Sequence, residues 1–159
     1  MKCNKNTPRI ILAIILVLVG IQFIGDRPET KKENPADLLK QAPVPGNVAS
    51  ILRHACYDCH SNETVYPWYA SVAPVSWLIN RDVKEGREKL NFSEWGLLTK
   101  AKKAKMLDKI SEEAVEDNEM PMAIYVLLHP KAKLTDKDRK KLQAWLDAYG
   151  ESLFSKSGG

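Results

Sequence analysis

A chain of 159 residues, 44% hydrophobic and 28% charged, holds one modest core plus appendages rather than two full domains. Its formal charge of +4 gathers at one end, where Lys2, Lys5 and Arg9 precede any acidic residue. The remainder is nearly neutral, which sets nucleic-acid binding aside.

Those three basic residues lead into an apolar run from Ile10 to Ile21, with Gly20 as its one small break, continuing through Gln22 to Ile24. This is the basic n-region and apolar h-region of an export segment. At ~1.5 Å per residue a helix here is short for a ~30 Å hydrocarbon core, but Arg9 can snorkel and a bilayer can thin. Phe23-Ile24-Gly25 lacks the small-residue pattern of a cleavage site. Residues 1–25 are therefore expected to remain as a single-pass anchor with the positive end in the cytoplasm. The rest of the chain then faces the periplasm. Cys3 lies before the apolar run and reads as a reduced cytosolic thiol, not a lipid attachment point. Residues 26–46 carry Pro28, Pro35, Pro43 and Pro45 among mixed charges, with only a brief Leu38-Leu39. That composition predicts a tether with room for one helical turn.

From residue 47 to 155 the periodicity is helical. Val48, Ile51 and Leu52 predict a short helix running into Cys56. Pro74 followed by Val75, Leu78, Ile79 and Val83 predicts a second with proline in its first turn. Ser93 is expected to cap a third, carrying Trp95, Leu98, Met106 and Ile110 before an acidic end at Glu112, Glu113, Glu116 and Asp117. Thr135 and Asp138 start the last in capping-box fashion, followed by a stripe of Leu142, Trp145, Leu146, Tyr149 and Leu153. No long period-two alternation argues for a sheet, so the domain is expected to be all-α. Short helices and long loops bury little apolar surface, and a large central cofactor would add stability.

The run Cys56-Tyr57-Asp58-Cys59-His60 packs two thiols and an imidazole into five residues. A structural zinc site wants four ligands in two pairs, and here only His54 and His129 are left to complete one. A redox dithiol wants its cysteines at a helix N-terminus within a βαβ frame, whereas these follow a helix. Haem c attachment uses every residue: two thiols add across two porphyrin vinyls, and the adjacent imidazole becomes the proximal iron ligand. An export segment would deliver the chain to the compartment where that attachment occurs. A sixth ligand suits electron transfer, and Met120 in the Glu119-Met120-Pro121-Met122 loop is preferred for it, ahead of Met122 and then His129. Met106 sits in a helical stripe and reads as core.

The segments Cys56-Tyr-Asp-Cys-His-Ser-Asn62, Tyr66-Pro-Trp-Tyr69, Ala73-Pro-Val-Ser-Trp77 and Leu90-Asn-Phe-Ser-Glu-Trp95 together carry a resemblance. Met120-Pro121, Tyr125, His129-Pro130, Leu134-Thr135 and Trp145 extend it. Over residues 47–149 the chain resembles a monohaem cytochrome c domain, and more closely the haem-binding-domain family of small exported bacterial proteins. The resemblance implies one covalent haem c per chain, anchored by Cys56 and Cys59, with His60 as an axial ligand. Unlike ordinary cytochromes c, this chain has no glycine two positions before Met120. The expected function is a membrane-anchored electron carrier, not an enzyme, that serves redox partner proteins. A haem sensor or peroxidase-like protein with an open sixth position is the alternative, with Tyr125 or His129 on the distal side; a zinc-bound structural tether is another. Tyr66, Trp68, Tyr69 and Trp77 are expected either to pack on the porphyrin or to form core, and Trp145 to lie in core where the last helix crosses the first. Lys100, Lys102, Lys103 and Lys105 spread around their helix and read as a solvated face.

Overall fold

A computed structural model describes residues 7–155, and every regular element among them is helical. Lys2, Cys3 and Lys5 lie outside the described residues. The first helix, α1 (Thr7–Gly20), is apolar on all sides, buries none of its residues, and passes into a 3-10 turn at Ile21–Phe23. Among the described residues, no helix is long and apolar enough to cross a membrane.

The expected tether is corrected, because the segment after α1 is packed onto the domain. The Lys31 N–H donates to the Asn62 carbonyl at 2.7 Å, Tyr66 Oη donates to the Pro28 carbonyl at 3.0 Å, and the Gly96 N–H donates to the Ala36 carbonyl at 2.7 Å. Asp37 caps α2 (Leu38–Gln41) by accepting from the Leu39 N–H at 2.9 Å, and Leu38 is fully buried. Prolines deny this stretch a long helix but leave its carbonyls as acceptors for neighbouring loops.

The core forms where α3 (Gly46–Ala55), α6 (Lys100–Ser111) and α8 (Asp136–Phe154) meet. Val48 and Leu52 of α3 and Leu107 and Ile110 of α6 face the stripe expected on α8, all five of whose residues are buried. Thr135 and Asp138 form the capping box, as expected. Trp145 is core, as expected, and donates its indole N–H to the Pro43 carbonyl at 3.2 Å.

Two expected helices differ. The third is broken: Asn91 caps a 3-10 turn at Phe92–Leu97, Leu98 is extended, and Thr99 caps α6 instead of Ser93. Ser93 is buried, its hydroxyl accepting from the Asn62 N–H at 2.9 Å, so it secures a loop where a cap was expected. The second, α5 (Val75–Lys89), begins after Pro74 but buries only Val83 and Gly86, leaving Val75 and Leu78 exposed. After α6 the chain makes one π turn at Glu112–Glu116, reverses through Asn118 at φ 58°, and enters α7 (Ala123–Leu128). Asn is among the few residues that take that left-handed conformation at low cost.

Candidate haem site

Helix α3 ends at Cys56, and the next four residues form the single-turn α4 (Tyr57–His60). The N–H groups of Cys59 and His60 both donate to the Cys56 carbonyl, at 3.2 and 2.9 Å. Spacings of three and four then bring Cys56, Cys59 and His60 to one face of that turn. Tyr57 points the other way into the core, stacked on Phe92 at 5.2 Å and donating to Asp37 at 2.9 Å. Asp58 ties the turn to two more distant segments. It accepts from the Val65 N–H at 3.0 Å and from Tyr125 Oη at 2.6 Å.

The His60 ring is oriented by α5. Its Nδ1 lies 2.9 Å from the Gly86 carbonyl and 3.1 Å from the Leu90 carbonyl. Both partners can only accept, so Nδ1 carries the proton and Nε2 keeps its lone pair. Burial holds the ring below the ordinary imidazole range, which keeps it neutral. Helix α5 can come this close because position 86 is glycine: a Cβ there would stand 2.7 Å from the Cys59 carbonyl oxygen. Arg87 then fastens the loop that follows His60, donating to the Ser61 carbonyl, the Thr64 hydroxyl and the Glu29 carbonyl at 2.8 to 2.9 Å.

These groups line a cleft of about 160 Å³. Its lining includes Cys56, Cys59 and His60, the apolar Phe92, Met106 and Ile110, the loop and helix residues Met120, Met122 and Tyr125, and charged side chains such as Glu85, Lys89 and Glu113. Met106 therefore borders the site as well as packing on the core. The Met120 loop is held by its own backbone, the N–H groups of Glu119 and Met120 both donating to the Glu113 carbonyl at 2.9 Å. The two cysteines are free thiols. Each keeps some surface toward the cleft, yet burial pushes Cys56 up to about 12 and Cys59 up to about 11, with Cys59 adding to the first and Asp58 to the second. Thiols held protonated in this way lack the lowered pKa that makes a redox dithiol reactive.

The remaining candidates lie elsewhere. His129 is outside the cleft lining, with Nε2 3.2 Å from Tyr69 Oη, Nδ1 3.1 Å from the Tyr125 carbonyl, and its ring stacked on Tyr125 at 4.2 Å. Both of its nitrogens are engaged, so of the two distal-side candidates only Tyr125 borders the cleft. His54 is exposed, with Nδ1 2.8 Å from the Ser50 carbonyl. Among the described residues no three His, Cys, Asp or Glu side chains gather as a metal-holding group. The expected porphyrin-packing or core role for Tyr66, Trp68, Tyr69 and Trp77 is corrected too. None of them lines the cleft or is buried, because Tyr66 and Trp77 instead hold the segment after α1. Gly86 and Arg87 had no signal in the sequence, since a glycine within a helix and an arginine among other charges look ordinary until their partners are known.

Two thiols and an imidazole with a free Nε2 on one turn, in a cleft that two thioethers also line, are a donor set that fits a haem. No curated protein and no solved structure matches this chain. The family described as haem-binding domain matches residues 16–148, from within α1 to within α8, and so includes the packed segment before α3 as well as the whole cleft. With most of its length matched in this way, the chain belongs to the haem-binding domain family.

Proposed function

We propose that the domain holds one covalent haem c and carries single electrons on the periplasmic side of the cytoplasmic membrane. The observation that carries this reading is the oriented His60 ring beside two protonated thiols on one helical turn. Each thiol would add its S–H across one vinyl double bond, sulfur to one carbon and hydrogen to the other, with no atom lost. Such a haem supplies a one-electron couple at its iron. Cys56 and Cys59 would anchor the group and His60 Nε2 would ligate its iron, with the apolar Phe92, Met106 and Ile110 lining the same cleft. Met120 would supply the second iron ligand, and a thioether there would favour the ferrous state and raise the potential.

Helix α1 serves as the anchor in this reading. Its 14 residues at ~1.5 Å and the three of the following 3-10 turn at ~2.0 Å reach ~27 Å, near a ~30 Å hydrocarbon core. Arg9 at the first turn supports a cytoplasmic start. The electron donor and acceptor are separate redox proteins.

The test is a pyridine haemochrome spectrum after a denaturing wash, on full-length protein made in a host with cytochrome c maturation. Wild type should keep a c-type band and the Cys56→Ala, Cys59→Ala protein should lose it. A wild type washed free of haem would overturn the covalent reading. Carbon monoxide binding to the reduced native protein would instead support an open sixth position.

A further inference from the structure

The chain leaves α1 and is at once clamped to the start of α5. Gln22 Oε1 accepts from the Ala73 N–H at 2.9 Å, the Ile24 carbonyl accepts from the Trp77 indole N–H at 2.5 Å, and Arg27 donates to the Ala70 carbonyl at 2.7 Å. Gly25 passes this junction at φ 120°, where a side chain would be strained and its Cβ would press to within 2.9 Å of Trp77. These three hydrogen bonds from residues 22 to 27 fix the end of α1 against the domain instead of letting it swing.

Around that clamp the surface is apolar. Phe23 is 85% exposed, Ile24 61%, Val72 44%, Val75 and Leu78 42% each, and Trp77 36%. The apolar stripe of α5 that periodicity assigns to the core thus lies largely outside it, beside the foot of α1. Contiguous exposed apolar surface of this kind marks a site of interaction. Residues Ile10 to Val19 of α1 are exposed along their whole length and none is buried. The apolar phase that takes up α1 therefore meets this patch next.

We infer that the Val72–Leu78 face of the domain lies in the headgroup region of the bilayer that holds α1. The inference rests on reading α1 as the anchor. Tryptophan suits that layer because its ring is apolar and its N–H polar, and here the N–H is already satisfied by Ile24 while the ring remains open. Gly86, whose carbonyl orients His60, lies nine residues beyond Trp77 on the same helix, or ~14 Å along its axis. The haem cleft is thereby held at a fixed height over the membrane, available to a partner that shares the same surface.

The test uses the full haem-loaded chain in phosphatidylcholine and phosphatidylglycerol vesicles, with a fluorescent amino acid replacing Leu78 or, as control, the exposed Lys102 of α6. The readout is the ratio of emission with and without lipids carrying a nitroxide near the headgroup, so that constant quenching by the haem cancels. Position 78 should be quenched at least twofold and position 102 left unchanged, and Val75→Glu should relieve the quenching at 78 without releasing the protein from floated vesicles. Flotation with no quenching at 78 would overturn the docked face while leaving the anchor intact. Emission at 78 that depends on protein concentration and not on nitroxide lipid would assign the face to a second copy of the chain. Failure to float would overturn the anchor, and the docked face with it.

Discussion

The approach of α5 to the attachment turn puts Gly86→Ala among the more informative substitutions in the molecule. A methyl group there would meet the Cys59 carbonyl oxygen at 2.7 Å and its carbon at 3.2 Å. These are backbone atoms, which cannot rotate away as a side-chain tip would. Forcing the helix outward costs ~1–3 kcal/mol as overpacking, and pulling the Gly86 carbonyl from His60 Nδ1 costs ~1 kcal/mol more. Alanine returns ~1 kcal/mol of helix propensity over glycine. The net loss of ~1–3 kcal/mol lowers the melting temperature by about 2–12 °C in a domain of this size, measured by circular dichroism on the apoprotein. Gly150→Ala is the internal control. It lies inside α8 and its Cβ would make ordinary contact with Leu107 at 3.8 Å, so it should melt ~1–4 °C higher on propensity alone. If the two variants moved together, or Gly86→Ala melted at or above wild type, the argument that glycine is needed for close approach would fail.

Tyr125→Phe removes a hydrogen bond to Asp58 and should cost ~1–3 kcal/mol by chemical denaturation; Asp58→Asn in the same background should then add little, whereas full additivity would show the two groups uncoupled. In haem-loaded protein, Met120→Ala should lower the reduction potential and admit carbon monoxide while Met122→Ala changes neither, and the opposite pattern would assign the sixth ligand to Met122. Apoprotein stability should fall at both ends of the pH scale. The His60 ring binds its proton less readily folded than unfolded, so stability declines as pH drops below about 6.5. The Cys56 and Cys59 thiols hold theirs more tightly folded, so stability declines as pH rises past about 9. A flat apoprotein profile between pH 5.5 and 10 in denaturant titrations would contradict the burial of all three.

Helix content and the haem chemistry were legible because they rest on local pattern. The stripe of α8 and its capping box are written in consecutive spacings, and the run of two cysteines and a histidine is complete within five residues. What the pattern concealed depends on distance along the chain. Residues 26–46 look like a tether because their prolines and charges bar a long helix, yet their carbonyls find partners 38 to 102 positions away and Leu38 joins the core. The α5 periodicity was visible, but the surface it faces was not, since an amphipathic stripe does not state what apolar phase will cover it. Ser93 was a plausible cap until its hydroxyl was taken by the Asn62 N–H.

The same division explains how the site works. The five-residue run specifies which atoms can bond to a haem, but not which nitrogen of His60 is available. That is decided by the C-terminal end of α5, whose last carbonyls lack partners within the helix. The Leu90 carbonyl, past the helix end, accepts from His60 Nδ1–H, which also reaches the Gly86 carbonyl although that one already accepts from the Leu90 N–H. A helix terminus that needs donors and an imidazole that must lose one tautomer satisfy each other. An acceptor behind the ring also raises the basicity of the nitrogen in front of it. If His60 ligates the iron as proposed, the glycine that permits the approach would act on that ligation without touching the haem, through the position of one carbonyl oxygen.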